Sequence, residues 1–168
     1  MPDLVIRPAV QNDLDALWEF LAMAAYEPDA AAARAEPGVA AYLIGWRRPQ
    51  DFGFIAERDT EIVGAAWASK KRFSNGDERT PKVSIAVKPE ARGQGVGQKL
   101  LRALIVEAGR RGVGLCLSVR TENPARRLYE RVGFRIVSGS TVANRAGGTS
   151  IAMIFDKFDN IGQSTMRS

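Results

Sequence analysis

The stretch VKPEARGQGVGQKLL, residues 87–101, sets Gly93, Gly95 and Gly97 at alternate positions between Arg92 and an apparent helix. Backbone N–H groups at a helix start lack intrahelical partners, and the helix dipole adds positive potential there. Such a start can bind an anion, and glycines allow a bulky one to approach. A simple strand-to-helix turn is the alternative interpretation, but the sequence around the loop favours an anion site.

The segments around this loop predict a strand, a helix and a second strand. KVSIAV, residues 82–87, alternates apolar and polar side chains, as a half-buried strand does. Apolar residues recur at helical spacing from Gly97 until Gly112, and GLCLSV, residues 114–119, is continuously apolar. We therefore predict a parallel strand–helix–strand unit with a right-handed crossover, in an α/β fold.

The rest of the chain predicts further strands and helices. LVIR (4–7) is a strand candidate, a helix follows, and a second short helix ends near Trp46. Two strands flank the polar pair Asp59-Thr60, which predicts a hairpin. NPARRLYERVGF (123–134) predicts a short helix capped by Asn123 and ended by Gly133, with final strands after it. We expect a single domain over residues 1–158 and a flexible tail over 159–168.

Composition narrows the function. The 168 residues carry a net charge of +5, include no histidine and contain one cysteine, Cys116. Zinc sites of the usual kinds are thereby excluded, and we expect no metal. No secretory leader or long apolar run is present, which predicts a soluble cytoplasmic protein without membrane association. The positive charge favours anionic partners, but the basic residues are dispersed among acids, which disfavours nucleic acid.

Two familiar phosphate-binding loops do not match the glycine pattern. A nucleoside-triphosphatase loop requires Gly-Lys followed by serine or threonine, whereas Lys99 follows Gln98 and precedes a leucine. The dinucleotide fingerprint needs glycine at its first, third and sixth positions, and the sixth position counted from Gly93 is Gln98.

Residues 82–137 resemble the GCN5-related N-acetyltransferase (GNAT) superfamily. SIAVKPEARGQGVGQKLL and, further along, NPARRLYERVGF carry the resemblance, and Arg92, Gly95 and Gly97 match the family's Gln/Arg-x-x-Gly-x-Gly/Ala loop. The resemblance implies a mixed, twisted sheet of about six to seven strands, flanked by about four helices and splayed at the acetyl-CoA site. It also implies an acetyl-CoA-dependent transfer of an acetyl group to a primary amine of a small molecule or peptide.

The resemblance also implies site residues. Tyr129 corresponds to the tyrosine that protonates the departing CoA thiolate in many members, although packing against the sheet would also explain it. Asn123 corresponds to a cofactor contact, and a backbone N–H near Val87 would polarise the thioester carbonyl. The positions implied for cofactor binding are Ile85, Ala86, Val87, Arg92, Gly93, Gln94, Gly95, Val96, Gly97, Gln98, Asn123 and Arg126.

The general base and the acceptor stay open. Many family members have a glutamate where this chain has Lys82, so Glu78, Glu122 or a relay through Ser84 remain alternatives. Trp46 is a candidate for the rim of the acceptor site. Because that glutamate is missing, a CoA-binding sensor without turnover is a second hypothesis. The resemblance further suggests a homodimer.

Overall fold

The computed structural model describes residues 3–46, 49–70 and 80–156. They form eight strands and five α-helices. The strands are β1 (Val5–Pro8), β2 (Phe52–Arg58), β3 (Glu61–Ser69), β4 (Lys82–Val87), β5 (Leu115–Arg120), β6 (Arg135–Ile136), β7 (Val142–Ala143) and β8 (Thr149–Phe155). The helices are α1 (Leu14–Ala24), α2 (Ala30–Ala35), α3 (Pro37–Ala40), α4 (Val96–Arg111) and α5 (Ala125–Val132), with 3-10 turns at Gln11–Asp13 and Pro89–Ala91.

The strands form one mixed sheet in the order β1-β2-β3-β4-β5-β8-β6, with β7 also paired to β8. Strands β4 and β5 are parallel, and every other pairing is antiparallel. The predicted β4–α4–β5 unit and the α/β fold class are therefore confirmed. The described part has one strand more than the upper prediction and one helix more than predicted, and four of these elements, β1, β6, β7 and α3, are only two to four residues long.

Helices cover both faces of the sheet. Alternate strand residues such as Val83, Leu117 and Met153 pack with α4 and α5 in one core. The remaining positions, including Trp67 and Ala86, pack with α1 to α3 in a second core. Successive side chains of a strand point to opposite faces, so each face supplies its own apolar surface. Helix α4 and the end of α1 therefore lie on opposite sides of β4.

Several boundaries follow the sequence. Asp59 and Thr60 both have positive φ, 54° and 64°, as the predicted tight hairpin turn requires. Helices α4 and α5 end at Gly112 and Gly133, both in the left-handed region. The prediction that a second short helix ends near Trp46 is wrong, because α3 stops at Ala40 and turns follow it.

Some expectations fall outside the described residues. The expected tail at 159–168 and most of the predicted turn at 74–81 are among them. Within the described ranges, none of the helices combines the length and apolarity that crossing a membrane requires.

Candidate functional site

A cavity of about 740 Å³ opens where β4 and β5 diverge. The two strands share a single register pair, Lys82 with Cys116, near the start of each. Beyond that pair β5 continues alongside β8, whereas β4 continues alongside β3. The gap between β4 and β5 therefore widens toward their carboxyl ends, where α4 and α5 begin.

The β4 backbone presents unused hydrogen-bonding groups to this gap. Lys88 N–H donates to Val63 O at 2.8 Å on the β3 side, and Cys116 N–H donates to Pro81 O at 3.0 Å on the β5 side. Because successive residues alternate direction, both backbone groups of Ile85 and the N–H of Val87 point toward the gap without a partner, while Val87 O accepts from Arg92 Nε. The splay predicted for the acetyl-CoA site is therefore present, and an extended ligand could pair with β4 as a strand would.

The glycine loop adopts a backbone suited to glycine at two positions. Gly93 and Gly95 have φ of 76° and 80°, and a Cβ added at either would meet no atom within 4 Å. Gly97 lies inside α4, and its added Cβ would come 3.1 Å from Leu128 Cδ2. The first two glycines serve the turn and leave open space above it, while the third allows α5 to pack closely.

Six consecutive backbone N–H groups of the loop, residues 93–98, make no hydrogen bond within the described residues. The first intrahelical bond runs from Lys99 N–H to Gly95 O at 3.1 Å. These donors stand at the positive end of the 16-residue helix α4. A cluster of unpartnered donors at a helix start is the arrangement that an anion-binding loop requires.

Side chains hold the loop in place. Arg58 Nη1 donates to Gln94 Oε1 at 2.7 Å, and Gln94 Nε2 donates to Glu90 O at 3.2 Å. Arg92 Nε donates to Val87 O at 3.0 Å, so the loop entrance is tied to the end of β4. Sequence reasoning missed Arg58, because 36 residues separate it from its partner and no local pattern marks it.

Asn123 and Arg126 connect the end of β5 to α5. Asn123 Oδ1 accepts from Ala125 N–H, the first amide of α5, at 2.9 Å, but Pro124 occupies the N-cap position, so the predicted cap at Asn123 is wrong by one residue. Its Nδ2 donates to Tyr26 Oη at 3.2 Å. Arg126 Nη1 donates to Thr121 O at 3.0 Å, and its buried Nε has no partner in the described ranges.

Tyr129 lies on α5 with 8% of its surface exposed and lines the cavity. Burial, with a smaller electrostatic contribution from Tyr26, raises the pKa of Tyr129 to about 12. Its hydroxyl therefore stays protonated at neutral pH and can donate a hydrogen bond into the cavity. The ring also packs in the core and contacts Phe134 edge-on, so the packing interpretation holds too.

A second wall of the cavity comes from the opposite face of the sheet. Tyr26 follows α1 with φ of 59°, and the Arg120 guanidinium lies 3.7 Å from the centroid of its ring. Arg145 Nη2 donates to Glu27 Oε1 at 2.8 Å and lies 3.5 Å from Ala25 O, which ties the turn before β8 to the end of α1. Sequence reasoning did not identify Arg120 or Arg145, since neither belongs to a motif.

Several candidates for the base and the rim are not in this cavity. Trp46 is 6% exposed, packs in the α1–α3 core and does not line the cavity, so its assignment to the rim is wrong. Glu122 is exposed and also absent from the wall. Ser84 does line the cavity, while Glu78 lies outside the described residues.

Lys82 occupies the position where many family members have a glutamate. It is half-buried and lies at the start of a central strand, not on an exposed edge of the sheet. Burial lowers its pKa.

The charges of the wall are all positive over residues 3–46, 49–70 and 80–156. The charged residues that line it are Arg92, Arg120 and Arg145, without Asp, Glu or Lys. Within the same ranges, no three His, Cys, Asp or Glu side chains come together as a metal site would need.

Comparisons with known proteins agree with this geometry. Residues 14–134 match the acetyltransferase (GNAT) family. Mycothiol acetyltransferase of Acidothermus cellulolyticus is 38% identical over an alignment of 118 residues that covers 62% of this chain and 36% of that protein. The chain thus spans about a third of the length of this curated relative.

Solved structures share the fold. The yncA structure from Salmonella typhimurium, which contains its cofactor acetyl-CoA, has a TM-score of 0.72 and 24% identity, covering 91% of this chain and 93% of that one. Ribosomal-protein-alanine N-acetyltransferase of Brucella melitensis has a TM-score of 0.70 and 27% identity, covering 89% and 98%.

Proposed function

Because this chain belongs to the GNAT family of acetyltransferases, we propose that it transfers an acetyl group from acetyl-CoA to a primary amine of a small molecule or peptide. One observation carries the proposal: the unpartnered amides of residues 93–98 follow closely on the open backbone of β4, and both Gly97 of this loop and residues 83–87 of β4 line one cavity. An anion-binding loop next to a strand edge fits a ligand with a pyrophosphate and an extended arm.

The loop would hold the pyrophosphate of acetyl-CoA through the amides from Arg92 to Gln98. Ile85, Ala86 and Val87 supply the strand along which the pantetheine arm would lie. Asn123, which lines the cavity, and Arg126, which donates to Thr121 O near the start of α5, would be further cofactor contacts. Arg58, through Gln94, is a positioning residue for this loop.

The reaction forms one bond and breaks another. The acceptor nitrogen attacks the thioester carbonyl carbon, the carbon–sulfur bond breaks, and the products are an acetamide and the thiol of CoA. Backbone N–H groups of Ile85 and Val87 face the gap and can donate to the carbonyl oxygen as negative charge develops on it. The protein therefore contributes mainly position and aimed donors.

Tyr129 would donate to the departing thiolate. Its pKa, raised to about 12, lies above the ordinary thiol value of about 8.5, so complete proton transfer from Tyr129 is uphill. A hydrogen bond that stabilises the thiolate fits this order of pKa values better than full protonation. The proton lost by the amine can then neutralise the thiolate.

The deprotonation step has no carboxylate beside it among the described residues. Ser84 is buried, lines the cavity and can relay a proton. The absence of a carboxylate from the described wall also supports a second candidate function, a CoA-binding sensor without turnover.

Calorimetric titration with acetyl-CoA, followed by thiol release over a panel of amines, tests the proposal. Micromolar binding and amine-dependent release are expected, with amine-free samples as the control for thioester hydrolysis. Binding without release for any amine would favour the sensor, and no binding would overturn both.

We also propose that the protein acts in the cytoplasm, where its co-substrate is available, and as a homodimer. Cell fractionation and light scattering of the purified chain test these two statements.

A further inference from the structure

The Arg120 guanidinium stands in the cavity wall without an ionic partner. Within the described residues its side chain makes no hydrogen bond or ion pair and stacks on the face of Tyr26, and it is partly buried. A partly buried guanidinium usually finds a carboxylate or phosphate, because five N–H donors are otherwise left to water alone. The ligand is the remaining source of an anion.

Arg120 is held in a defined position. Tyr26 takes its left-handed conformation where α1 ends, and Glu27 N–H closes that turn on Ala22 O at 2.8 Å. The Tyr26 hydroxyl accepts from Asn123 Nδ2. Stacking on a fixed ring orients the planar guanidinium and leaves the N–H groups along its edge free to donate to another group.

The position of Arg120 separates it from the pyrophosphate loop. On β5, Leu117 and Val119 point into the core with α4 and α5, so Arg120 points to the opposite face, where α1 ends. The loop amides belong to the start of α4, on the first face. The anion that meets Arg120 therefore belongs to the molecule that approaches from the α1 side.

The other charges of this wall do not compensate Arg120. Arg145 is already paired with Glu27 at 2.8 Å and lies 3.7 Å from Glu36. Across residues 3–46, 49–70 and 80–156 no carboxylate lines the cavity. A polycationic acceptor would meet repulsion there, whereas an acceptor with a carboxylate would meet an oriented donor pair.

We propose that the acceptor is a small amine that also carries a carboxylate, and that Arg120 binds this carboxylate through its paired N–H groups. The inference rests on the proposed acetyl transfer and adds the chemical class of the acceptor. A bidentate guanidinium–carboxylate pair fixes both distance and direction. It would aim the amine of a short acceptor at the thioester.

The test compares amino acids with their own carboxamides, for example alanine with alaninamide and phenylalanine with phenylalaninamide. The carboxamide has the lower amine pKa and hence more neutral amine, so intrinsic reactivity alone would favour it. We expect the opposite: kcat/KM for the acid should be at least about 10-fold higher than for its carboxamide, because a charged hydrogen-bonded pair contributes free energy of that size.

Arg120→Gln should abolish this preference. The acid-to-amide ratio is expected to fall to 1 or below through a higher KM for the acid, because only the intrinsic advantage of the carboxamide remains, while the Kd for acetyl-CoA changes less than about 2-fold. Arg102→Gln, an exposed arginine of α4 outside the cavity, is the matched control and should keep the ratio. Thermal melting of both variants checks that they are folded.

Three results would overturn the inference: a wild-type ratio of 1 or below, a ratio unchanged in Arg120→Gln, or an Arg120→Gln effect that falls on acetyl-CoA binding. Acetyl-CoA binding with transfer only to amines lacking a carboxylate would also overturn it and leave the proposed function standing. A wild-type protein that does not bind acetyl-CoA would overturn the proposed function, and the inference with it.

Discussion

The two walls of the cavity differ in how they are built. The wall that we propose for the cofactor draws its lining residues from two short continuous segments, 83–97 and 123–129, in which strand, loop and helix follow one another. The acceptor wall joins the end of α1, the region of α3, the end of β5 and the turn before β8, which are up to 120 residues apart.

This difference explains which wall can be recognised from sequence. In the cofactor wall, the separation of residues along the chain fixes their distance in three dimensions, since loop and helix are local structures. In the acceptor wall, contacts such as Arg120 with Tyr26 exist only because β5 pairs beside β4 and α1 packs across the sheet. The first wall should therefore control acetyl-CoA, and the second should control the amine.

The largest expected effect comes from Gly95→Val, which we predict weakens acetyl-CoA binding at least about 100-fold. The new side chain would fill the open space over the loop and strain a residue with φ of 80°. Calorimetry measures the loss.

Gly139→Val is the control for strain at that position. Gly139 also has positive φ, 72°, and open space, but it lies outside the cavity. It should cost about 1–2 kcal/mol of stability, as at Gly95, and leave binding unchanged. Equal affinity losses in the two variants would show that the loop acts only through folding.

Tyr129→Phe should lower kcat about 10- to 100-fold and leave the Kd for acetyl-CoA within about 2-fold. The variant keeps the packed ring and removes the donor to the thiolate. Tyr26→Phe, on the other wall, should instead raise the KM of the amine. Steady-state kinetics separates the two, and an unchanged kcat in Tyr129→Phe would leave Tyr129 a packing residue only.

Arg145→Gln should raise the acceptor KM about 3- to 10-fold without changing acetyl-CoA binding. It removes the ties from the turn before β8 to Glu27 and Glu36 and so loosens the acceptor wall alone. Arg110→Gln, which breaks an exposed pair with Glu107 far from the cavity, is the matched control. An equal rise in the acetyl-CoA Kd would contradict the division between the walls.

The smallest effect is spectroscopic. All three tyrosines of the chain line the cavity, and burial raises the pKa of Tyr129 to about 12 and also raises that of Tyr42. The stability tied to protonated Tyr129 should be complete below pH 10 and disappear as pH rises through 12. Absorbance at about 295 nm should show a late phenol ionisation whose amplitude is smaller in Tyr129→Phe, where only Tyr42 still contributes to it; an ordinary pKa near 10 for the phenol lost in that variant would contradict the burial.

Much of the fold could be predicted from local patterns. The β4–α4–β5 unit, the Asp59-Thr60 turn and the helix ends at Gly112 and Gly133 each depend on a few neighbouring residues. Trp46 shows where this reasoning fails. An aromatic residue beside two arginines resembles a surface rim, but Trp46 fills the α1–α3 core against Gly53, whose added Cβ would come 3.2 Å from its ring.

The sequence by itself determined the glycine loop with its unpartnered amides, because glycine conformation and helix-start amides are properties of a few consecutive residues. It also determined the parallel unit that carries the loop, through the hydrophobic period of each segment. Only the tertiary structure decided that β4 and β5 separate after one residue pair, that Arg58 reaches Gln94, and that Arg120 stacks on Tyr26. These contacts join residues 34 to 94 positions apart, and only packing of the whole sheet brings them within range.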